Sequence, residues 1–192
     1  MKGRIKDALG VIGFCLLLMI GFPTEAGERV CGFNEDELSL IKHAHKLAKP
    51  YDLSKAAIGV LIIETHAGRY GPIGDHSNGI GRRSYGPAQI KLDTARDILN
   101  RSPRFIDSFE HDYELITALI ERPYWNVALM VEHLAWLYHV QNLSWRETLL
   151  AYNRGLNGSR VKDANTHRYV EQIADMLNDG KISCLYDEVF DQ

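Results

Sequence analysis

The sequence predicts a mainly α-helical protein on three observations. Two helix starts are written as capping boxes, Asn34 with Glu37 and Ser144 with Glu147. In each, a side-chain oxygen meets the third helical amide and a carboxylate reaches back to the cap. Val127, Met130, Val131, Leu134 and Tyr138 recur at helical spacing and form an apolar stripe. "IGVLII" at 58–63 would pass alone as a buried strand. No partner strand is evident elsewhere, and Ala56, Ala57 and the length to Gly68 favour helix.

The elements follow in order. A first helix covers about 35–49 and stops at Pro50. Asp52 or Ser54 caps a second, which runs to His66 with Gly68 as its stop. It is apolar all round, so it is a central helix enclosed by others. Residues 69–90 read as a loop rich in glycine. Asp93 caps a short helix to about Asn100, and Ser108 caps another to Glu121. Pro123 suits the first turn of a long helix to about Asn142. The helix opened by Ser144 ends in "AYNRG", and a last one covers about 166–179 before Gly180. The tail beyond Lys181 carries Cys184 and no other readable feature.

The chain has 192 residues, 45% of them hydrophobic and 24% charged, enough for one domain with a real core. Its formal net charge of −3 leaves no basic field for nucleic acid. Lys2, Arg4 and Lys6 precede an apolar run from Ala8 to Phe22, then "PTEAG". That pattern reads as a secretory signal over 1–26, cut after Ala26, with a single domain over 27–192. An uncleaved membrane anchor is the alternative, disfavoured by the shortness of the run. The chain is thus expected to be exported through the inner membrane, periplasmic or secreted, and to act as a monomer.

Export governs the cysteines. Cys15 leaves with the signal, and Cys31 and Cys184 remain near the two ends of the domain. In an oxidising compartment they are expected to form a disulfide; two separate buried thiols are the alternative. The scattered histidines give no metal-ligand spacing, so no metal and no cofactor is expected.

Glu64 stands at the end of the most apolar helix. Desolvation there disfavours a charged carboxylate and suits it to act as an acid near neutral pH. An ordinary Glu with its head in water is the alternative. The loop that follows is long for a compact domain, which points to function. Tyr70 and Tyr85 within it have rings suited to stacking on sugar faces, or simply pack the loop.

Four motifs then resemble a known family. "ETHAG" at 64–68, "GDHSNGIG" at 74–81, "GPAQI" at 86–90 and "AYNRG" at 151–155 fall in the order seen in soluble lytic transglycosylases and goose-type lysozymes. The resemblance spans about 58–170. It implies a lysozyme-like helical domain with a substrate cleft around the buried helix end. By the same resemblance Glu64 matches the catalytic glutamate, and Thr65 stands where serine is commoner and offers a similar hydroxyl contact to substrate. Gln89 matches the glutamine on the cleft wall, Tyr152 and Asn153 match the Ala-Tyr-Asn motif that holds substrate and acid, and Tyr169 matches a later tyrosine. Pro87 and Ala88 depart from the family's Leu-Met, and proline removes a backbone donor.

The substrate so implied is the peptidoglycan glycan strand. Two mechanisms fit. In a lytic transglycosylase, Glu64 protonates the glycosidic oxygen and then takes the proton of the C6 hydroxyl, closing a 1,6-anhydro ring. A hydrolase needs a second carboxylate to activate water, and Asp75 is the candidate, ahead of Asp93. For Asp75 an Asx-turn is the plain alternative. Two readings outside enzymology remain: a catalytically silent glycan-binding module, and an adaptor of an envelope complex. Family members often serve a secretion, conjugation or pilus machine, and such a machine is an expected partner by analogy only.

Overall fold

The computed structural model describes residues 29–74, 79–159 and 167–190. The expected signal segment and Asp75 lie outside them. No helix of the described residues is long and apolar enough to cross a membrane.

The chain is mainly helical. The helices are α1 (Glu35–Ala48), α2 (Ser54–Thr65), α3 (Leu92–Arg101), α4 (Asp112–Glu121), α5 (Pro123–Ala135), α6 (Trp145–Arg154), α7 (Leu156–Ser159), α8 (Arg168–Asn178) and α9 (Lys181–Leu185). Both sequence-read capping boxes are formed. The Asn34 side chain accepts from the Glu37 amide at 2.9 Å and the Glu37 carboxylate accepts from the Asn34 amide at 2.9 Å. Ser144 and Glu147 do the same for α6. Pro123 occupies the first turn of α5, which continues as a π-helical turn over Trp136–Val140.

α2 is the central helix, packed against α1, α5, α6 and α8. Ala57, Ile58, Val60 and Leu61 are fully enclosed, which accounts for its lack of a polar face. Its cap differs from expectation. Asp52 adopts left-handed backbone closing a 3-10 turn, Ser54 is already helical, and no side chain caps the start. At the other end His66, not Gly68, takes the left-handed C-cap position.

Two further caps move. α3 is preceded by Lys91, with Asp93 in its first turn, where a negative charge suits the helix dipole. α4 begins after His111 rather than Ser108: the Glu114 carboxylate accepts from the Glu110 and His111 amides at 3.0 and 3.1 Å.

The segment read as loop contains a small antiparallel hairpin, β1 (Ser84–Tyr85) with β2 (Ile90–Lys91), paired Ser84 to Lys91 and Tyr85 to Ile90. Its start is braced to α1 through Arg69, whose Nε and Nη2 reach the two Glu37 oxygens at 2.5 and 2.6 Å. Burial raises the Glu37 carboxyl, but the hydrogen bonds from Arg69 and the Asn34 amide outweigh it and hold it below the usual carboxylate range.

α8 approaches α2 where there is no side chain to separate them. A Cβ on Gly59 would lie 2.6 Å from Ile173 Cγ2. Ile173 is one helical turn beyond Tyr169, so this close contact sets how far Tyr169 reaches along α2. Cys31 and Cys184 form a disulfide across 153 positions, joining the N-terminal turn to α9. The described residues after Lys181 are helical, with a π-helical turn over Tyr186–Phe190 that stacks Phe190 on His45 at 4.0 Å.

Candidate active site

Glu64 projects from the last turn of α2, half-buried, into a cleft of about 530 Å³. Gln89, Tyr152 and Asn153 line the same cleft, so the fold brings together residues 64, 89, 152 and 153. Among the described residues lining it, Glu64 is the only carboxylate. Tyr169 reaches it from α8, donating its hydroxyl to Glu64 Oε1 at 2.8 Å.

Two tyrosines thus frame the carboxylate. Burial, then the negative charge of Glu64, pushes both the Tyr152 and Tyr169 hydroxyls well above their ordinary range. Each stays protonated and acts as a donor. Tyr169 donates a hydrogen bond to Glu64, and Tyr152 donates one to the Ala88 carbonyl at 2.5 Å.

That second bond belongs to a larger construction. The turn Tyr85–Gln89 carries Gln89 to the cleft, and three helices supply a side chain to hold it. From α2, the Thr65 hydroxyl donates to the Pro87 carbonyl at 2.6 Å and accepts from the Gly68 amide at 2.8 Å. From α5, Asn126 accepts from the Ala88 amide and donates to the Tyr85 carbonyl, both at 2.9 Å. Tyr152 completes it from α6. Proline at 87 removes a donor, but the turn uses the Pro87 carbonyl and the amide of residue 88. Gly86 adopts φ +76° against Asn126 and the Leu119 carbonyl, where any Cβ would overlap both.

Thr65 is 2% exposed and does not line the cleft; its hydroxyl is committed to the turn. Gln89 stands at φ +51° with its amide group fixed, accepting from the Ser84 hydroxyl at 2.8 Å and donating to the Gly86 carbonyl at 2.9 Å. Tyr85 is buried, its hydroxyl on the Ile80 carbonyl at 2.5 Å, so it packs the loop and has no face for a ligand. Tyr70 is exposed.

Two residues of the site were not singled out from the sequence. Asn126 is fully buried and sustains the turn; His133 lines the cleft beside Tyr152. Both fall on the face of α5 that also carries Met130, at four- and three-residue steps. A polar side chain on an otherwise apolar helical face is the signal that would have found them.

A half-buried carboxylate facing a cleft, with tyrosine donors and a rigid wall, suits proton transfer to and from a bound polar polymer. Comparisons with protein-family models, with curated proteins and with solved structures find no match to this chain.

Proposed function

We propose that the chain is a peptidoglycan lytic transglycosylase with a lysozyme-like helical domain. The observation that carries the reading is Glu64, the only carboxylate among the described residues lining the cleft, oriented by Tyr169 at 2.8 Å. The motif resemblance supplies the substrate class. The cleft's polar lining, Gln89, Asn153 and Glu64 together, suits a hydroxyl-rich glycan.

In this mechanism Glu64 protonates the glycosidic oxygen between N-acetylmuramic acid and N-acetylglucosamine. The bond to the anomeric carbon breaks, and the substrate's own acetamido oxygen supports the positive charge there. Glu64, now a carboxylate, takes the proton of the C6 hydroxyl as that oxygen bonds to the anomeric carbon. One side chain performs both transfers, and no water is consumed. Tyr169 keeps the carboxyl pointed along the cleft through both steps, and the braced turn holds Gln89 against the strand. The hydrolytic alternative would route a water through Asp75. Export, with action on the wall in the service of an envelope machine, is part of the proposal.

The test is mass spectrometry of the soluble fragments released from purified peptidoglycan by residues 27–192. Fragments ending in 1,6-anhydromuramic acid, one water lighter than hydrolysis products, are expected, and Glu64→Gln abolishes them. Reducing-end fragments would make the enzyme a hydrolase instead. Absence of any fragment, with Glu64→Gln indistinguishable from the unmutated chain, would sink the enzymatic reading.

A further inference from the structure

We propose that His133 is a specificity-determining residue of the cleft, donating its Nε2–H to the acetamido carbonyl of a bound N-acetylated sugar. The inference rests on the glycan reading above and deepens it.

The proton's position follows from the neighbours. Arg101 Nη2 lies 3.0 Å from His133 Nδ1. A guanidinium has donors and no acceptor, so Nδ1 must accept and the ring proton must sit on Nε2. Arg101 is itself held fast, ion-paired with Asp97 and stacked 4.3 Å above the Trp136 ring. The imidazole is flanked by the Trp136 ring, 5.9 Å away and nearly parallel at 12°, and by the Tyr152 ring at 5.9 Å. Burial, then the Arg101 charge, pushes the imidazole down to about 3, so it remains neutral over the whole physiological range.

Nε2 makes no hydrogen bond within the described residues, nor is it sealed from solvent as an orphaned group. His133 therefore brings a fixed, neutral donor to the wall of the cleft that holds Glu64. A donor without an acceptor function selects a ligand oxygen. In a β-1,4 glycan the amide carbonyl is a stronger acceptor than a ring or hydroxyl oxygen, and its group also carries a methyl and an N–H. The surroundings suit the N–H as well: the Thr94 hydroxyl, on the cleft lining one turn before Ile98 on α3, can accept from it. The cation at Arg101 disfavours a free amine in place of the acetamide.

The test compares two neutral pentasaccharides, chitopentaose with acetamido groups and cellopentaose with hydroxyls. Each is titrated calorimetrically into the full chain carrying Glu64→Gln, which prevents turnover. Chitopentaose is expected to bind at least about tenfold tighter. His133→Phe is expected to remove about tenfold of that preference, and His133→Gln, which keeps an amide donor, to retain most of it. On the unmutated chain, ¹⁵N NMR is expected to find the Nε2–H tautomer at pH 7 and to shift that proton on adding chitopentaose. Peptidoglycan cleavage without a chitopentaose preference, or with one that His133→Phe leaves intact, overturns the inference alone. So does an Nε2–H signal that chitopentaose does not move. Failure of both glycan binding and fragment release overturns the functional reading, and this inference with it.

Discussion

Tyr169 donates its hydroxyl to Glu64 across 2.8 Å, joining side chains that stand 105 positions apart in the chain. The bond links the first buried helix of the site to the last. Removing the hydroxyl should act on the proposed reaction more than on the fold, because the Tyr169 ring keeps its packing. A hydrogen bond to a charged group contributes about 1.5–3 kcal/mol, so Tyr169→Phe is expected to lower kcat/KM by about 10–100-fold. The rate of peptidoglycan fragment release measures the loss, and a melting curve within a few degrees of the unmutated chain separates it from unfolding.

Asn126 acts the other way, on the fold first. Its side chain satisfies the Ala88 amide and the Tyr85 carbonyl in a fully buried setting. Asn126→Leu leaves the Ala88 amide without this partner, takes one bond from the Tyr85 carbonyl, and is expected to destabilise by about 2–4 kcal/mol. Chemical denaturation gives that figure. A stability within about 0.5 kcal/mol of wild type would mean the turn does not depend on this bond pair.

Gly59 sets two preferences against each other. A larger residue would favour the helical conformation by up to about 1 kcal/mol. The contact with Ile173 Cγ2, 2.6 Å from a new Cβ, opposes it. Overpacking of this kind costs about 1–3 kcal/mol, so crowding wins and Gly59→Val is expected to be net destabilising by about 1–2 kcal/mol. Because α8 must shift, fragment release should fall as well, even at temperatures where the variant stays folded.

Stability should also depend on pH through His133. The free imidazole titrates at 6.5, the folded one at about 3. Between those values the unfolded chain binds a proton that the folded chain refuses, so acid favours unfolding. The expected loss is up to about 1.4 kcal/mol for each pH unit below 6.5. Urea midpoints at pH 7 and pH 5 measure it, and His133→Gln should flatten the slope. The residual slope includes His43 and His66, both also lowered chiefly by burial, and at its acid end the lowered Glu37 carboxyl.

What the sequence discloses of this architecture divides by distance along the chain. The caps of α1 and α6 are legible because each is a contact over three residues. Glu64 is legible because its position ends an unmistakable apolar run. The hairpin of β1 and β2 is not: two-residue strands carry no alternation, and their turn is held by Thr65, Asn126 and Tyr152 from three separate helices. The sequence points to Ser108 rather than His111 for the start of α4 because serine is a common cap and histidine is not. The motif resemblance offers Thr65 to substrate, whereas its hydroxyl serves the turn 22 positions away. Nothing local to "ETHAG" distinguishes those two uses.

The Cys31–Cys184 bond encloses residues 64, 89, 152, 153 and 169 within one covalent ring. A single proteolytic cut anywhere inside that ring would leave both fragments tethered. Their reassociation would be intramolecular, at an effective concentration on the order of millimolar. A nicked molecule is therefore expected to run as one band without reductant and as two with it, while retaining its assembled cleft. The crosslink then serves less to resist cutting than to make one cut inconsequential.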